Sequence, residues 1–483
     1  MKVLAAFLAN TVANFLIGLL VAKFLGPEEY GRFALAFAIG VIVQTALFDW
    51  MRLSATRFYS TRVREAEPAI RSTLDFSFLA VAAALTLLGG VFLLVAPTVS
   101  LGDALIALAL ATAAINGLFD YSTALLRARF EDRHYGRVVL TKNILALLLT
   151  GGGAFVFHSA GMALAGSLAS IFGAVLTARA SLADPGASPR GARLDTAHML
   201  IAYSAPIVAA NMLYQSVPLA IRAMASSYYG FAETGQFSLA YDLGIRAIYA
   251  LGSALDVLLF QIAVAAHERH GSEKAKEQIA RNMTIVAAFL LPACAGVWLT
   301  MPSIEELIVP AQFRGPFGHY LDLLLPGLFA MGLIQFAVNP VFQIEKKTAP
   351  LIGAASLAVV SGLAFALALP RGADASSLAL AQCGAYIVAL GALIAFAARA
   401  APQWPRLRDL LAALAATGAM ILAVRPLATL APGATTLLMQ IGVGAVVYGG
   451  ATLLLDTAGL RGLAVGVARP LLSRVLARAR TAL

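Results

Sequence analysis

Two oppositely charged residues, Asp242 and Arg246, stand one helical turn apart in the apolar segment 237–258. If that segment crosses a bilayer as a helix, Arg246 lies about 14 Å from its start, close to the bilayer centre. An unpaired guanidinium at that depth costs about 2.5–3.5 kcal/mol. The i,i+4 spacing makes Asp242 the expected partner. Arg246 then either faces a polar cavity, where it can bind an anion, or forms a buried ion pair that only orients the helix.

Charged residues near the ends of other apolar segments are further candidates for anion binding. Lys23 and Arg222 end predicted spans one and seven, where they either bind a phosphate group or extend to the membrane interface. Asp49 and Arg52, at the end of span two, have the i,i+3 spacing of an ion pair and could form a gate. The alternative for Arg52 is a solvated loop. Asp242 is also a candidate for coupling to an ion gradient, although its spacing to other acids forms no evident sodium or proton site.

Amide side chains occur in pairs four residues apart. Asn10 and Asn14 share one face of span one, and Asn211 and Gln215 share one face of span seven. Amides both donate and accept hydrogen bonds, as sugar hydroxyls require. Hydrogen bonding between helices is the alternative interpretation. Lys142 is another cation inside a predicted span, without an assigned role.

Motifs for enzymatic chemistry are missing from the sequence. It contains no G-x-x-x-x-G-K-[ST] phosphate loop and no G-x-S-x-G nucleophile motif. The two cysteines, Cys294 and Cys383, lie in predicted helices and form no metal-ligand pattern. We therefore predict a protein that is not an enzyme and that has neither a cofactor nor a metal.

The elements that must position these residues are membrane helices. The chain has 483 residues, of which 60% are hydrophobic and 12% charged, and its mean hydropathy is +0.83. Such values are typical of an all-α integral membrane protein rather than of a soluble domain. Fourteen spans are predicted, near 4–22, 33–50, 74–95, 103–121, 138–157, 160–178, 199–220, 237–258, 282–301, 320–342, 350–369, 376–397, 409–428 and 433–455.

Basic residues indicate the orientation of these spans. With a cytoplasmic N-terminus, most of the 35 Lys and Arg residues fall in cytoplasmic segments, which agrees with the positive-inside rule. The net charge of +10 then reflects topology and contact with anionic lipid, not binding of nucleic acid. We predict a multi-pass protein of the cell inner (cytoplasmic) membrane with both termini cytoplasmic. The segment 457–483 is predicted to be an amphipathic cytoplasmic tail.

One sequence pattern occurs twice, at an offset of 204 residues. The segments LGPEEYGRFALAFAIG (25–40) and YGFAETGQFSLAYDLG (229–244) share Gly26/Gly230, Glu29/Glu233, Gly31/Gly235, Phe33/Phe237, Leu35/Leu239, Ala36/Ala240 and Gly40/Gly244. Such a repeat indicates two homologous halves in the same orientation. We predict an N-terminal six-helix bundle (1–185), a linker (186–198), a second six-helix bundle (199–400) and two further helices (401–456).

Four segments carry a resemblance to a known family: AKFLGPEEYGRFALAFAIG (22–40), DWMRLSATRFYSTR (49–62), LFDYSTALLRARFEDRHYG (118–136) and NPVFQIEKKTAP (339–350). They resemble the polysaccharide transporter family, the Wzx-type lipid-linked oligosaccharide flippases of the MATE-like flippase superfamily. The resemblance implies two six-helix bundles in a V, with helices 1 and 7 lining a central cavity that opens alternately to each side. The implied substrate is a polyprenyl-diphosphate-linked oligosaccharide for O-antigen, capsule or exopolysaccharide assembly. Membrane lipids, a polysaccharide polymerase and chain-length machinery are the expected partners, and nucleic acid is not.

Two other functions are compatible with a polytopic chain. A cation-coupled small-molecule exporter of the MATE type shares the expected fold, although an intramembrane arginine favours an anionic cargo over a cationic one. A membrane glycosyltransferase or polymerase requires a sizeable outer loop with catalytic groups, and the longest predicted outer loop, about 302–319, is too short for one.

Overall fold

The computed structural model describes residues 2–60, 66–95, 102–184, 186–344, 349–400, 403–459 and 461, and across them it is helical without strands. The helices are α1 (Lys2–Leu47), α2 (Asp49–Phe58), α3 (Pro68–Val95), α4 (Asp103–Ala128), α5 (Asp132–Leu145), α6 (Gly151–Phe157), α7 (Ala160–Thr177), α8 (Arg179–Leu182), α9 (Leu194–His270), α10 (Ser272–Leu307), α11 (Pro316–Leu333), α12 (Asn339–Ile344), α13 (Ala349–Ala368), α14 (Ser376–Ala400), α15 (Leu407–Val424) and α16 (Ala434–Leu455). Two π-helical turns, Ala146–Thr150 and Ile334–Val338, join α5 to α6 and α11 to α12.

The helices long and apolar enough to cross a membrane number twelve among the described residues. Two of these candidate spans are far longer than a bilayer requires: Asn10–Leu47 has 38 residues and Leu194–Leu255 has 62. Each contains one residue with non-helical backbone angles, Gly26 in α1 and Gly230 in α9. Counting the arms on either side of each glycine separately gives the fourteen predicted segments, and the all-helical, multi-pass fold is confirmed.

The two kinks explain the first glycines of the sequence repeat. Gly26 has φ 73° and ψ 173°, and Gly230 has φ 85° and ψ 177°. A side chain would be strained at these positive φ angles, so glycine is required where the chain turns from one arm into the next. The sequence repeat is thus also a structural repeat.

The second pair of repeat glycines brings the two copies into contact. A Cβ atom at Gly31 would overlap the carbonyl oxygen of Phe231, and one at Gly235 would overlap that of Pro27. Each glycine therefore removes the side chain that would keep the two backbones apart. The arms that follow the two kinks cross at this point, related by the repeat.

The repeated glutamates have matching structural roles. The Glu29 carboxylate accepts a hydrogen bond from the Ala160 amide, 2.8 Å away, at the first residue of α7. The Glu233 carboxylate accepts one from the Ala375 amide at 3.3 Å, just before α14, and another from the Tyr320 hydroxyl. A carboxylate is favourable at a helix N-terminus because it satisfies free amides and the helix dipole. Each half thus uses its own glutamate to fix a later helix.

The described chain forms two compact units. The first comprises Met1–Arg246, Pro310–Leu324 and Thr348–Ala389, and the second comprises Ala247–Val309, Leu325–Lys347 and Leu390–Leu483. The bounds of the two six-helix bundles stay a prediction, although α9 begins at Leu194, within the predicted linker. Most of the predicted amphipathic tail, residues 460 and 462–483, lies outside the described residues.

Candidate functional site

Five polar residues of the first unit form a cluster on three membrane helices, which we call the Asn14 cluster. Asn10 and Asn14 come from α1, Lys142 and Asn143 from α5, and Arg246 from α9. The Arg246 guanidinium donates to the Asn14 backbone carbonyl at 2.8 Å, and the Lys142 ammonium donates to the Asn14 side-chain oxygen at 2.8 Å. The Asn14 and Asn143 amides both donate to the Asn10 side-chain oxygen at 3.1 Å.

Local sequence makes room for the two cations. Gly18 lies one turn beyond Asn14 on α1, and a Cβ atom there would lie 2.7 Å from a guanidinium nitrogen of Arg246. Lys142 precedes the π-helical turn Ala146–Thr150, where the extra residue changes the register of the helix face. Its ammonium lies 5.9 Å from the centre of the Phe119 ring, within cation–π range.

The cluster carries two positive charges. Within the described part of the chain, neither Lys142 nor Arg246 forms an ion pair with a carboxylate; their hydrogen-bond acceptors are neutral oxygens of Asn14. Neutral dipoles satisfy the hydrogen bonds of a cation without cancelling its charge. The cluster can therefore attract an anion that enters the membrane interior.

Asp242 has a different partner from the one expected. Its carboxylate forms an ion pair with Arg222, not with Arg246, so the predicted i,i+4 pair was wrong. Arg222 also donates to the Ala34 carbonyl at 3.3 Å and lies 5.4 Å from the Tyr241 ring centre, while the Tyr30 hydroxyl donates to Asp242 at 3.4 Å. The physical reason is that α9 turns at Gly230, which folds the arm carrying Asp242 back beside Arg222.

Arg222 is consequently not a free interfacial cation. Its residue surface is only 4% exposed, and its charge is balanced by that of Asp242. Extension to the membrane interface requires an exposed side chain, so that alternative is wrong, whereas phosphate binding by Arg222 stays a prediction. The contacts of Arg222 describe an ion pair in which the arginine is buried and Asp242 is partly exposed.

A second polar group lies around the end of the α1 arm and α2. Asp49 and Arg52 form the i,i+3 ion pair that their spacing indicated, with two hydrogen bonds of 2.9 and 3.0 Å. Nearby, the Gln44 amide donates to the Asp120 carboxylate at 2.7 Å. Asp120 was not singled out from the sequence, although an acid near the end of an apolar span is the signal that identifies it.

Three site candidates predicted from the sequence, Lys23, Asn211 and Gln215, belong to neither of these two polar groups. Lys23 is exposed on α1, and its backbone carbonyl accepts a hydrogen bond from the Gln312 side chain at 2.9 Å. Asn211 is half-buried and Gln215 is exposed on α9. No hydrogen bond among the described side chains connects either amide to the Asn14 cluster. Conversely, Lys142 and Asn143 belong to the cluster. From the sequence, Lys142 had no assigned role and Asn143 was not singled out, because nothing local shows which helix face meets Asn14.

The fold of the chain is similar to that of several solved structures. The lipid II flippase MurJ in an inward closed conformation matches with a TM-score of 0.65 at 15% identity, covering 94% of this chain and 98% of that one. An inward-facing multidrug resistance MATE family transporter of the MOP superfamily matches with a TM-score of 0.64 at 15% identity, covering 81% and 94%. The chain has a MATE-like transporter fold.

An outward-facing MATE family transporter matches as well, with a TM-score of 0.55 at 15% identity over 82% of this chain and 94% of that one. Neither the protein-family models nor the curated proteins give a match. These structural neighbours are transporters and flippases rather than enzymes. The MATE-like part of the family resemblance is therefore confirmed at the level of fold, and the Wzx-type specificity stays a prediction.

Proposed function

We propose that the protein is a flippase that moves a polyprenyl-diphosphate-linked oligosaccharide across the cytoplasmic membrane by alternating access, for O-antigen, capsule or exopolysaccharide assembly. The observation that carries this proposal is the Asn14 cluster, in which Lys142 and Arg246 both donate to Asn14 and neither forms an ion pair with a carboxylate among the described side chains. The MATE-like fold supports transport of some kind, and the charge of the cluster supports an anionic cargo.

The proposed cargo presents a specific physical problem. Its diphosphate is anionic and its sugars carry many hydroxyl groups, yet both must cross about 30 Å of hydrocarbon. Cations compensate the charge of the diphosphate, and amides such as Asn10 and Asn14 exchange hydrogen bonds with sugar hydroxyls. A binding site of this kind has to be positive before the cargo arrives, and the two cations of the Asn14 cluster support such a role.

The orientation of the protein belongs to the same proposal. The distribution of basic residues supports cytoplasmic termini, so the cargo would be loaded from the cytoplasmic leaflet. A polymerase and chain-length machinery on the opposite side would then consume it. Membrane lipids surround the protein throughout.

A MATE-type exporter is the second candidate, because a multidrug MATE transporter matches the fold nearly as well as MurJ does. The two candidates differ in the sign of the cargo. An exporter of cationic drugs requires acidic groups where this chain places Lys142 and Arg246.

The deciding experiment measures which leaflet holds the lipid-linked oligosaccharide in cells depleted of the protein. We expect accumulation on the cytoplasmic leaflet and loss of surface polysaccharide, both restored by the wild-type chain. Normal surface polysaccharide together with increased sensitivity to cationic drugs would contradict the flippase proposal and favour the exporter.

A further inference from the structure

A cleft in the second unit is lined by several arginines. It has a volume of about 1090 Å³ and lies between the C-terminal end of α9, the first turns of α10, the segment before α15 and the end of α16. None of the residues that line the cleft belongs to the Asn14 cluster. The cleft is therefore a separate site from the one proposed for the transported cargo.

The lining of the cleft is rich in positive charge. Arg269, Arg281, Arg406 and Arg408 contribute guanidinium groups, and none of the four forms an ion pair with a carboxylate among the described side chains. The lining acids offset part of this charge. Glu277 pairs at 2.8 Å with Lys274, which also lines the cleft, and its charge acts on Arg406, while the Asp456 carboxylate accepts a hydrogen bond from the backbone amide of Arg461 at 3.1 Å.

The position of the cleft along the helices identifies the environment it faces. The candidate spans of α10, α15 and α16 run over Lys276–Leu307, Leu407–Thr429 and Ala434–Leu455, so the cleft lies where each of the three begins or ends. Trp404 is part of the lining, and tryptophan is enriched at the membrane–water boundary. Ile262 and Ala265 add an apolar wall beside the charged groups.

We propose that this cleft binds the phosphate headgroup of an anionic phospholipid from the leaflet it faces. Basic pockets between membrane helices recognise such headgroups, because guanidinium groups bind phosphate while the adjacent apolar surface accepts the acyl chains. The chain's own C-terminal segment is an unsuitable occupant. Its sequence after residue 461 contributes arginines and no acid, so it has the same sign as the cleft.

Native mass spectrometry of the full-length protein tests this proposal, with phosphatidylglycerol and cardiolipin compared against phosphatidylcholine. We expect preferential retention of the two anionic lipids. Arg281→Gln and Arg406→Gln should each weaken that retention about fivefold, since each removes one basic residue near a phosphate. Asp409→Asn should strengthen it, because it removes a lining acid. The matched control is Arg425→Gln, an exposed arginine at the opposite end of α15, which should change nothing.

Three outcomes would overturn the proposal. Retention of phosphatidylcholine equal to that of the anionic lipids would show that the cleft does not select lipids by headgroup charge. Equal effects of Arg425→Gln and Arg406→Gln would place the lipid elsewhere on the protein. Displacement of the bound lipid by inorganic phosphate alone would assign the cleft to a soluble phosphate compound. A thermal unfolding scan of each variant in detergent separates loss of binding from loss of fold.

Discussion

Two arginines of the same long helix, Arg222 and Arg246, lie in opposite electrostatic environments. Arg222 is buried against the carboxylate of Asp242, and the Ala34 carbonyl and the Tyr241 ring complete its surroundings. Arg246 donates to a backbone carbonyl of Asn14, beside a second cation, Lys142. Arg222 and Asp242 together carry no net charge. Arg246 forms no ion pair with a carboxylate among the described side chains.

This difference separates structural from functional charge inside a membrane. A buried ion pair contributes little to cargo binding, because neither of its members is available to a third group. Breaking the pair by removing one partner lowers the stability of the protein. A cation held by neutral dipoles is positioned but not neutralised, so it can still bind an anion. The Arg222–Asp242 pair therefore stabilises the crossing of the repeated arms near Gly31 and Gly235, whereas the Asn14 cluster is suited to a cargo.

The largest effect is expected for Arg222→Ala. This change leaves the partly buried Asp242 carboxylate without its cation, which costs up to about 3–5 kcal/mol. We expect a marked loss of thermal stability in detergent and low abundance in the membrane. The double variant Arg222→Ala/Asp242→Asn removes both charges and should recover much of that stability. An Arg222→Ala protein that is stable but inactive in transport would instead place Arg222 in the binding site and reverse the comparison.

Arg246→Ala and Lys142→Ala should give the opposite pattern. Neither change leaves a carboxylate without its cation, so the loss of thermal stability should be smaller than for Arg222→Ala, at most about 1.5–3 kcal/mol for the lost charged hydrogen bond. Transport of the lipid-linked oligosaccharide should fall by roughly tenfold or more, because a charged hydrogen bond contributes about 1.5–3 kcal/mol. Restoration of surface polysaccharide in depleted cells measures this loss, with exposed Arg425→Ala as the control. Full restoration by both variants would exclude the cluster from transport.

Substitution by lysine keeps the charge of each arginine and changes its hydrogen-bonding geometry. Arg222 uses one guanidinium nitrogen for Ala34 and another for Asp242, and a single ammonium cannot match this fork. Arg222→Lys should therefore lose about 1–2 kcal/mol of stability. Among the described residues Arg246 donates one hydrogen bond, to the Asn14 carbonyl, so Arg246→Lys should retain much of the transport activity. Transport as low as in Arg246→Ala would show that the cargo needs a guanidinium rather than a charge.

The sequence predicted those features that depend on local composition. Apolar runs of about twenty residues located the spans, and the repeated Gly26 and Gly230 marked the turns at which α1 and α9 each divide into two membrane segments. Both features follow from the physics of a short stretch of chain. They do not depend on how the rest of the protein folds.

The partners of the charged residues depend on tertiary structure and could not be predicted in the same way. The i,i+4 spacing favoured Asp242 with Arg246, but Arg222, twenty residues away across the kink, forms the ion pair. Lys142 meets Asn14 over a separation of 128 residues. Spacing along one helix defines which pairs are possible, and packing between helices selects among them.

The smallest change in stability, and the most direct test of the comparison, is expected for Asn14→Asp. This substitution places a carboxylate between Lys142 and Arg246, keeping the acceptor for the ammonium and losing the amide donor to Asn10. The new ion pair and the lost hydrogen bond nearly cancel, so thermal stability should change by about 1 kcal/mol or less. The cluster then resembles the Arg222–Asp242 pair, and transport of an anionic cargo should fall about tenfold. Asn14→Gln, which adds no charge, is the control. Equal transport by the aspartate and glutamine variants would show that the shape of the cluster matters and its charge does not.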